Sequence, residues 1–133
     1  MTPFLLLLLI GTIEVGTYMY DGIEVGNGAR AGVQYGAQSP VYANDQNGIA
    51  TAVQADAVDL SGLAVTSGTF CTCESNHAAH VSCSGVSPCA ASDPRDTYVQ
   101  DVVAKQFNPF VVFPGLPSSL TITRTASQQV TPS

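Results

Sequence analysis

At 133 residues the chain is long enough for one domain and too short for two lobes with a cleft between them. Charged residues make up 11% of it and hydrophobic residues 45%, which excludes disorder driven by charge and requires that apolar surface be hidden somewhere. Four basic residues (Arg30, Arg95, Lys105, Arg124) are scattered among ten acidic ones, and a net charge of -6 leaves no patch to neutralise phosphates, so nucleic acid is not expected as a partner.

Pro3 opens an apolar run from Phe4 to Gly11, extended by Thr12 and Ile13 and, past a single acid at Glu14, by Val15, Tyr18, Met19 and Tyr20. A bilayer core of roughly 30 Å takes about 20 helical residues, so Pro3 to Ile13 is too short to cross it, whereas the run read to Tyr20 is nearly sufficient. A retained membrane anchor is the favoured reading. A cleaved signal peptide wants a basic leader, yet no Lys or Arg precedes Arg30, and Ala29-Arg30-Ala31 is a poor cleavage site. A buried soluble helix or hydrophobic interface is the third reading. Glu14 in mid-bilayer would cost a few kcal/mol and demand a partner. At the outer edge it needs none, and Tyr18 and Tyr20 then fall in the interfacial belt.

Gly22/Gly26 and Gly32/Gly36 each repeat at four residues, which puts small residues on one helical face and lets a neighbouring backbone approach closely. That argues for a continuing helix, although each interior Gly costs about 1 kcal/mol relative to Ala. Gly26-Asn27-Gly28 follows no strand and lacks the spacing and Lys of a phosphate loop. Gln38-Ser39-Pro40 ends the helix. A second one follows, capped by Asn44 or Asp45, with a modest stripe of Ile49, Ala50, Val53, Ala57 and Leu60, and closes at Ser61-Gly62.

From Leu63 to Cys73 the β-branched, Gly-punctuated pattern reads as a strand; 97–107 is a second and 120–130 a third. The link from Asn108 to Pro117 is too rich in proline for an inner strand. Its Phe110, Val111 and Phe113 are expected to close the core from one edge, the alternative being exposure to a partner or a membrane surface. The expected class is α+β: a long N-terminal helix, anchor first and small-residue-faced later, then a short helix and a small antiparallel sheet. Residues 1–38 form the anchor and helix, and 39–133 the head.

Cys71, Cys73, Cys83 and Cys89 cluster around His77 and His80. Disulfides are favoured, because a small domain gains about 2–4 kcal/mol from a bridge and a membrane anchor suits an oxidising compartment. Connectivity does not follow from spacing; a nested pairing, Cys71–Cys89 with Cys73–Cys83, is the working guess. Zinc is the weaker alternative, since Cys-x-Cys and Cys-x5-Cys are not the paired knuckles of zinc sites, and free thiols are the third. The histidines read as exposed loop residues. Ser82-Cys83-Ser84-Gly85 is not a nucleophile elbow, and Asp93, Asp96 and Asp101 read as a solvated face. No catalysis, cofactor, metal or small-molecule substrate is expected.

Phe4 to Gly16, with its Gly11-Thr12-Ile13-Glu14-Val15-Gly16, followed by Asn27-Gly28-Ala29-Arg30-Ala31-Gly32-Val33-Gln34-Tyr35-Gly36-Ala37, resembles the N-terminal signature of TadE-like proteins, minor pilins of the bacterial Tad (Flp) pilus. The Cys-rich middle, Tyr98 to Val103, Phe107 to Phe110, Pro114 to Pro117 and Leu120 to Ala126 are similar to that family's C-terminal strands and loop. The resemblance implies a single-pass, inner-membrane-anchored subunit. Its head would lie in the periplasm or on the extracellular pilus, and it would assemble with other pilin-like subunits and pilus assembly proteins. Helix packing would fall to Glu14, Gly22, Gly26, Gly32 and Gly36, with Arg30 pairing an acid on a neighbouring subunit or staying solvated. Family members carry a basic leader, a prepilin-peptidase site and a Glu-Phe pair upstream of the apolar run. Met1-Thr2-Pro3 begins beyond these, so the expectation is either residues upstream of Met1 or a protein that is not processed. A rival from another class is a membrane-tethered or secreted binding module in which the 71–89 loop and the Phe110–Pro117 loop recognise a ligand.

Overall fold

One unbroken helix, α1 (Thr2–Gly36), carries the chain from its apolar end into the protein's core in the computed structural model, which describes residues 2–112, 115 and 117–131. Its 35 residues span about 52 Å at about 1.5 Å each. Phe4 to Leu9 are all at least half exposed, with no protein packed around them. From Asp21 upward the helix buries one face, made by Asp21, Gly22, Val25, Gly28, Ala29, Gly32, Val33 and Gly36. The spacing of three and four keeps these residues in line, and tertiary packing along that line outweighs the poor intrinsic helix propensity of glycine.

A turn of helix, α2 (Pro40–Ala43), follows; Ser39 caps it by accepting the Tyr42 amide at 3.4 Å, with Pro40 in the first turn where its missing N–H costs nothing. Of the two expected caps for α3 (Gln46–Asp56), Asp45 is the one used. Its carboxylate accepts the Gly48 amide at 3.0 Å, while Asn44 donates its side-chain amide to the Pro40 carbonyl at 2.8 Å. The helix stops at Asp56 rather than continuing to Leu60, and only a turn, closed by Leu60 N–H to Ala57 O, carries the stripe further.

The sheet has four antiparallel strands in the order β2-β1-β3-β4. β1 (Ala64–Cys73), β3 (Arg95–Phe107) and β4 (Leu120–Gln129) lie where the alternating pattern put them. β2 (Asn76–Val81) corrects the sequence reading, which assigned His77 and His80 to a loop. Asn76-His77-Ala78-Ala79-His80 has little strand propensity of its own, and its neighbours hold it in place. Thr72 of β1 pairs with His80, and the His80 ring stacks on Phe70 at 4.2 Å between centroids. Tyr98 of β3 continues that stack on the helix-free face of the sheet, 5.3 Å from Phe70.

The other face carries the core. Val99, Val103 and Phe107 of β3 and Ile122 of β4 meet Val25, Ala29, Val33 and Ala37 of the α1 end and Ile49 and Val53 of α3. The second half of α1 therefore shares one core with the head.

All four cysteines are paired, as Cys71–Cys83 and Cys73–Cys89, which corrects the nested guess. The β1–β2 register gives the reason. Cys73 sits opposite Asn76 at the turn end of the hairpin, while Cys71 sits opposite Val81. A chain leaving β2 at Val81 therefore brings Cys83 beside Cys71 and away from Cys73.

Candidate membrane anchor and helix-packing face

α1 runs antiparallel to β3, and its contacts step along the strand in register. Gly36 abuts Val99, Gly32 abuts Asp101, and the Tyr18 and Phe107 rings meet edge to face at 5.4 Å. From Gly32 down to Tyr18 is about 21 Å of helix, and from Asp101 to Phe107 about 20 Å of strand, so the two elements stay level along the whole head. The head's lower end is thus where the β3–β4 link begins, with Pro109 and Val111 beside Glu14 and Tyr18.

The glycines expected to serve packing between subunits divide by what they face. A Cβ at Gly32 would overlap the Asp101 carboxylate and stand 2.8 Å from Val53 Cγ2; one at Gly36 would stand 2.9 Å from Val99 Cγ2 and 3.3 Å from Ile49 Cδ1. Both belong to the molecule's own core. Gly28, which the sequence reading did not single out, does the same job toward α3, with the Val53 carbonyl 3.3 Å from where a Cβ would be. Its place four residues before Gly32 was the available signal, obscured by reading it within Gly26-Asn27-Gly28. Gly22 and Gly26 instead lie under the Arg124 side chain of β4, at 3.3 Å and 3.8 Å from their virtual Cβ positions. Beside them runs a shallow groove open to solvent, with Met19, Ile23 and Arg30 on its walls; Arg30 is exposed.

Glu14 is half-buried. Its Oε1 accepts the Val111 amide at 2.7 Å, a contact across 97 positions of sequence that straps the 108–112 segment to α1. Between strap and helix lies an apolar cavity of about 320 Å³, lined by Val15, Tyr18, Phe107, Pro109, Val111 and Leu120 with Glu14 at its edge. The link does not close the core as expected: Val111 turns in, but Phe110 is 79% exposed and Val112 61%. At this end of the core the buried aromatic is Phe107, seated against Tyr18. Phe113 lies outside the described residues.

Two carboxylates above this level differ in kind. Asp45 is held below the usual carboxylate range, first by the Gly48 amide and then by the Tyr35 hydroxyl, which donates to it at 2.8 Å. Asp101 corrects the solvated-face reading of its residue: it is fully buried, neither oxygen has a hydrogen-bond partner among the described residues, and burial pushes it up to about 6. The sequence placed it near a turn, whereas β3 runs inward through it with Val99 and Val103 on either side.

Among the described residues no three His, Cys, Asp or Glu side chains gather to hold a metal ion. What the arrangement presents is surface: a helix long and apolar enough to cross a membrane, a groove along its middle, and an apolar strap at the head's lower end. Comparison with protein-family models, with curated proteins and with solved structures finds no match to the chain.

Proposed function

We propose that the chain is a membrane-anchored structural subunit, a TadE-like minor pilin that takes part in assembling a Tad-type pilus. The observation that carries the reading is the single helix α1, bare and apolar from Phe4 to Leu9 and docked along one face of a disulfide-bonded antiparallel sheet over its second half. A helix of that kind holds a head at fixed height above a bilayer and leaves its remaining faces for neighbours. Two disulfides in so small a head suit an oxidising compartment, in keeping with a periplasmic or extracellular location.

With Gly32 and Gly36 used inside the molecule, the part of α1 open to another subunit is the exposed apolar side at Ile13, Met19 and Ile23 and the groove beside Gly26. The test is genetic. Removing the gene is expected to reduce pili on the source cell, and restoring it as Ile23→Asp is expected to leave the protein membrane-bound and folded but pili still reduced, since Ile23 is 62% exposed and supports no core. Normal pili in the deletion overturn the reading.

A further inference from the structure

We propose that the first part of the β3–β4 link, residues 108–112, is a second membrane contact, with Phe110 and Val112 entering the outer boundary of the bilayer that α1 crosses and fixing the head against its surface. The proposal rests on α1 being a membrane anchor and adds what the head does there.

Height fixes the contact. At Tyr20 the helix meets water: the Tyr20 hydroxyl donates to the exposed Asp59 carboxylate at 3.2 Å, and the partly exposed Glu24 follows one turn higher. Glu14 lies six residues lower, about 9 Å at about 1.5 Å per residue. Its bond to Val111 holds the strap at that depth. Interfacial segments bury their apolar side by about 5–10 Å. The neighbouring helix surface at the same level, Ile13 and Val15, is bare and apolar, so strap and span form one continuous greasy surface.

Composition agrees. Residues 108–119 contain no charged side chain, and Phe110 and Val112 are large apolar side chains exposed within the described part of the link. The Glu14–Val111 bond suits both partners at this depth. It gives the carboxylate a donor where water is scarce, and it satisfies a backbone amide that lipid would leave unpaired. Lys105 stands two strand positions above Phe107, about 7 Å higher, with its ammonium on the Ser61 carbonyl at 3.3 Å, a level at which it reaches phosphate headgroups.

The chain has no tryptophan, so a single one reports its own surroundings. Three full-length variants, Phe110→Trp, Leu7→Trp and Val86→Trp, are reconstituted in vesicles of phosphatidylethanolamine and phosphatidylglycerol brominated at either a shallow or a deep acyl position. Each replaced side chain is at least half exposed, so none should unfold the head. The expected result is that Phe110→Trp emits to the blue of Val86→Trp and loses more emission to the shallow bromines, that Leu7→Trp loses more to the deep ones, and that Val86→Trp is quenched only by aqueous iodide. If Leu7→Trp is quenched by bromolipid while Phe110→Trp behaves like Val86→Trp, the span stands and the second contact is overturned. If Phe110→Trp emits to the blue yet answers to neither bromolipid nor iodide, protein covers it and the lipid contact is again overturned. If Leu7→Trp escapes bromolipid, the anchor reading fails and takes the proposal with it.

Discussion

The carboxylate of Asp101 lies directly against Gly32, where the absence of a side chain on α1 makes room for it in the core. The groups facing it are Gly32 from α1, Val53 near it from α3, and Ser67 and Ala126 opposite it on β1 and β4, none of which carries a charge. Burial raises its folded-state pKa from the ordinary aspartate value of 3.8 to about 6. The folded protein therefore holds this proton over a range where the unfolded chain releases it. Stability from Asp101 is full below about pH 4 and is lost as pH rises through about 6, for a total of about 3 kcal/mol. Denaturant midpoints measured from about pH 4.5 to 7.5 should fall for the native protein, and the fall should shrink in Asp101→Asn, which cannot ionise. Equal slopes in the two proteins would refute the assignment.

Gly32→Ala and Gly26→Ala test the same helix at two depths. At Gly32 the added methyl meets Asp101 and Val53, and overpacking of this kind costs about 1–3 kcal/mol. At Gly26 the nearest atom is Arg124 Cγ at 3.8 Å, ordinary contact, so the gain in helix propensity of up to about 1 kcal/mol should show as unchanged or raised stability. Thermal or urea unfolding in detergent micelles checks both.

The disulfide register is open to labelling. Replacing Cys71 and Cys83 together by Ser should leave the Cys73–Cys89 bridge and no thiol for a maleimide. Replacing Cys71 and Cys89 breaks both bridges and should leave two reactive thiols, at Cys73 and Cys83. The nested arrangement would give the reverse. Loss of either native bridge should lower stability by about 2–4 kcal/mol.

Glu14→Ala removes the acceptor of the Val111 amide. Hydrogen exchange at that amide should then accelerate by about tenfold or more, the kinetic equivalent of losing a hydrogen bond worth about 1.4 kcal/mol, while Val103 in the core keeps its protection. An unchanged Val111 rate would show that the strap is held by its apolar contacts alone.

Much of the fold was legible because it rests on local signals. Glycines four apart marked a helix face, Pro40 marked its end, and β-branched alternation marked β1, β3 and β4. β2 was not legible, since its pairing with β1 and the stack of His80 on Phe70 are tertiary. The glycine notches were found, but their partner was misassigned: a notch shows that something approaches, and only the register of α1 against β3 shows that Gly32 and Gly36 receive their own sheet. Asp101 was misread because one carboxylate looks the same in sequence whether a strand carries it outward or inward. The tie from Glu14 to Val111 joins residues too far apart in sequence for any spacing rule.

The central claim is that α1 anchors the chain in a membrane and meets other pilin-type helices along its exposed side. A photo-crosslinking amino acid at Ile23, on the exposed side of the helix, tests it in the source cell. The account predicts that the chain stays in carbonate-washed membranes and forms adducts with proteins that bear a pilin-type apolar N-terminal helix. Recovery of the chain in the soluble fraction, or membrane-bound without such adducts, would contradict it.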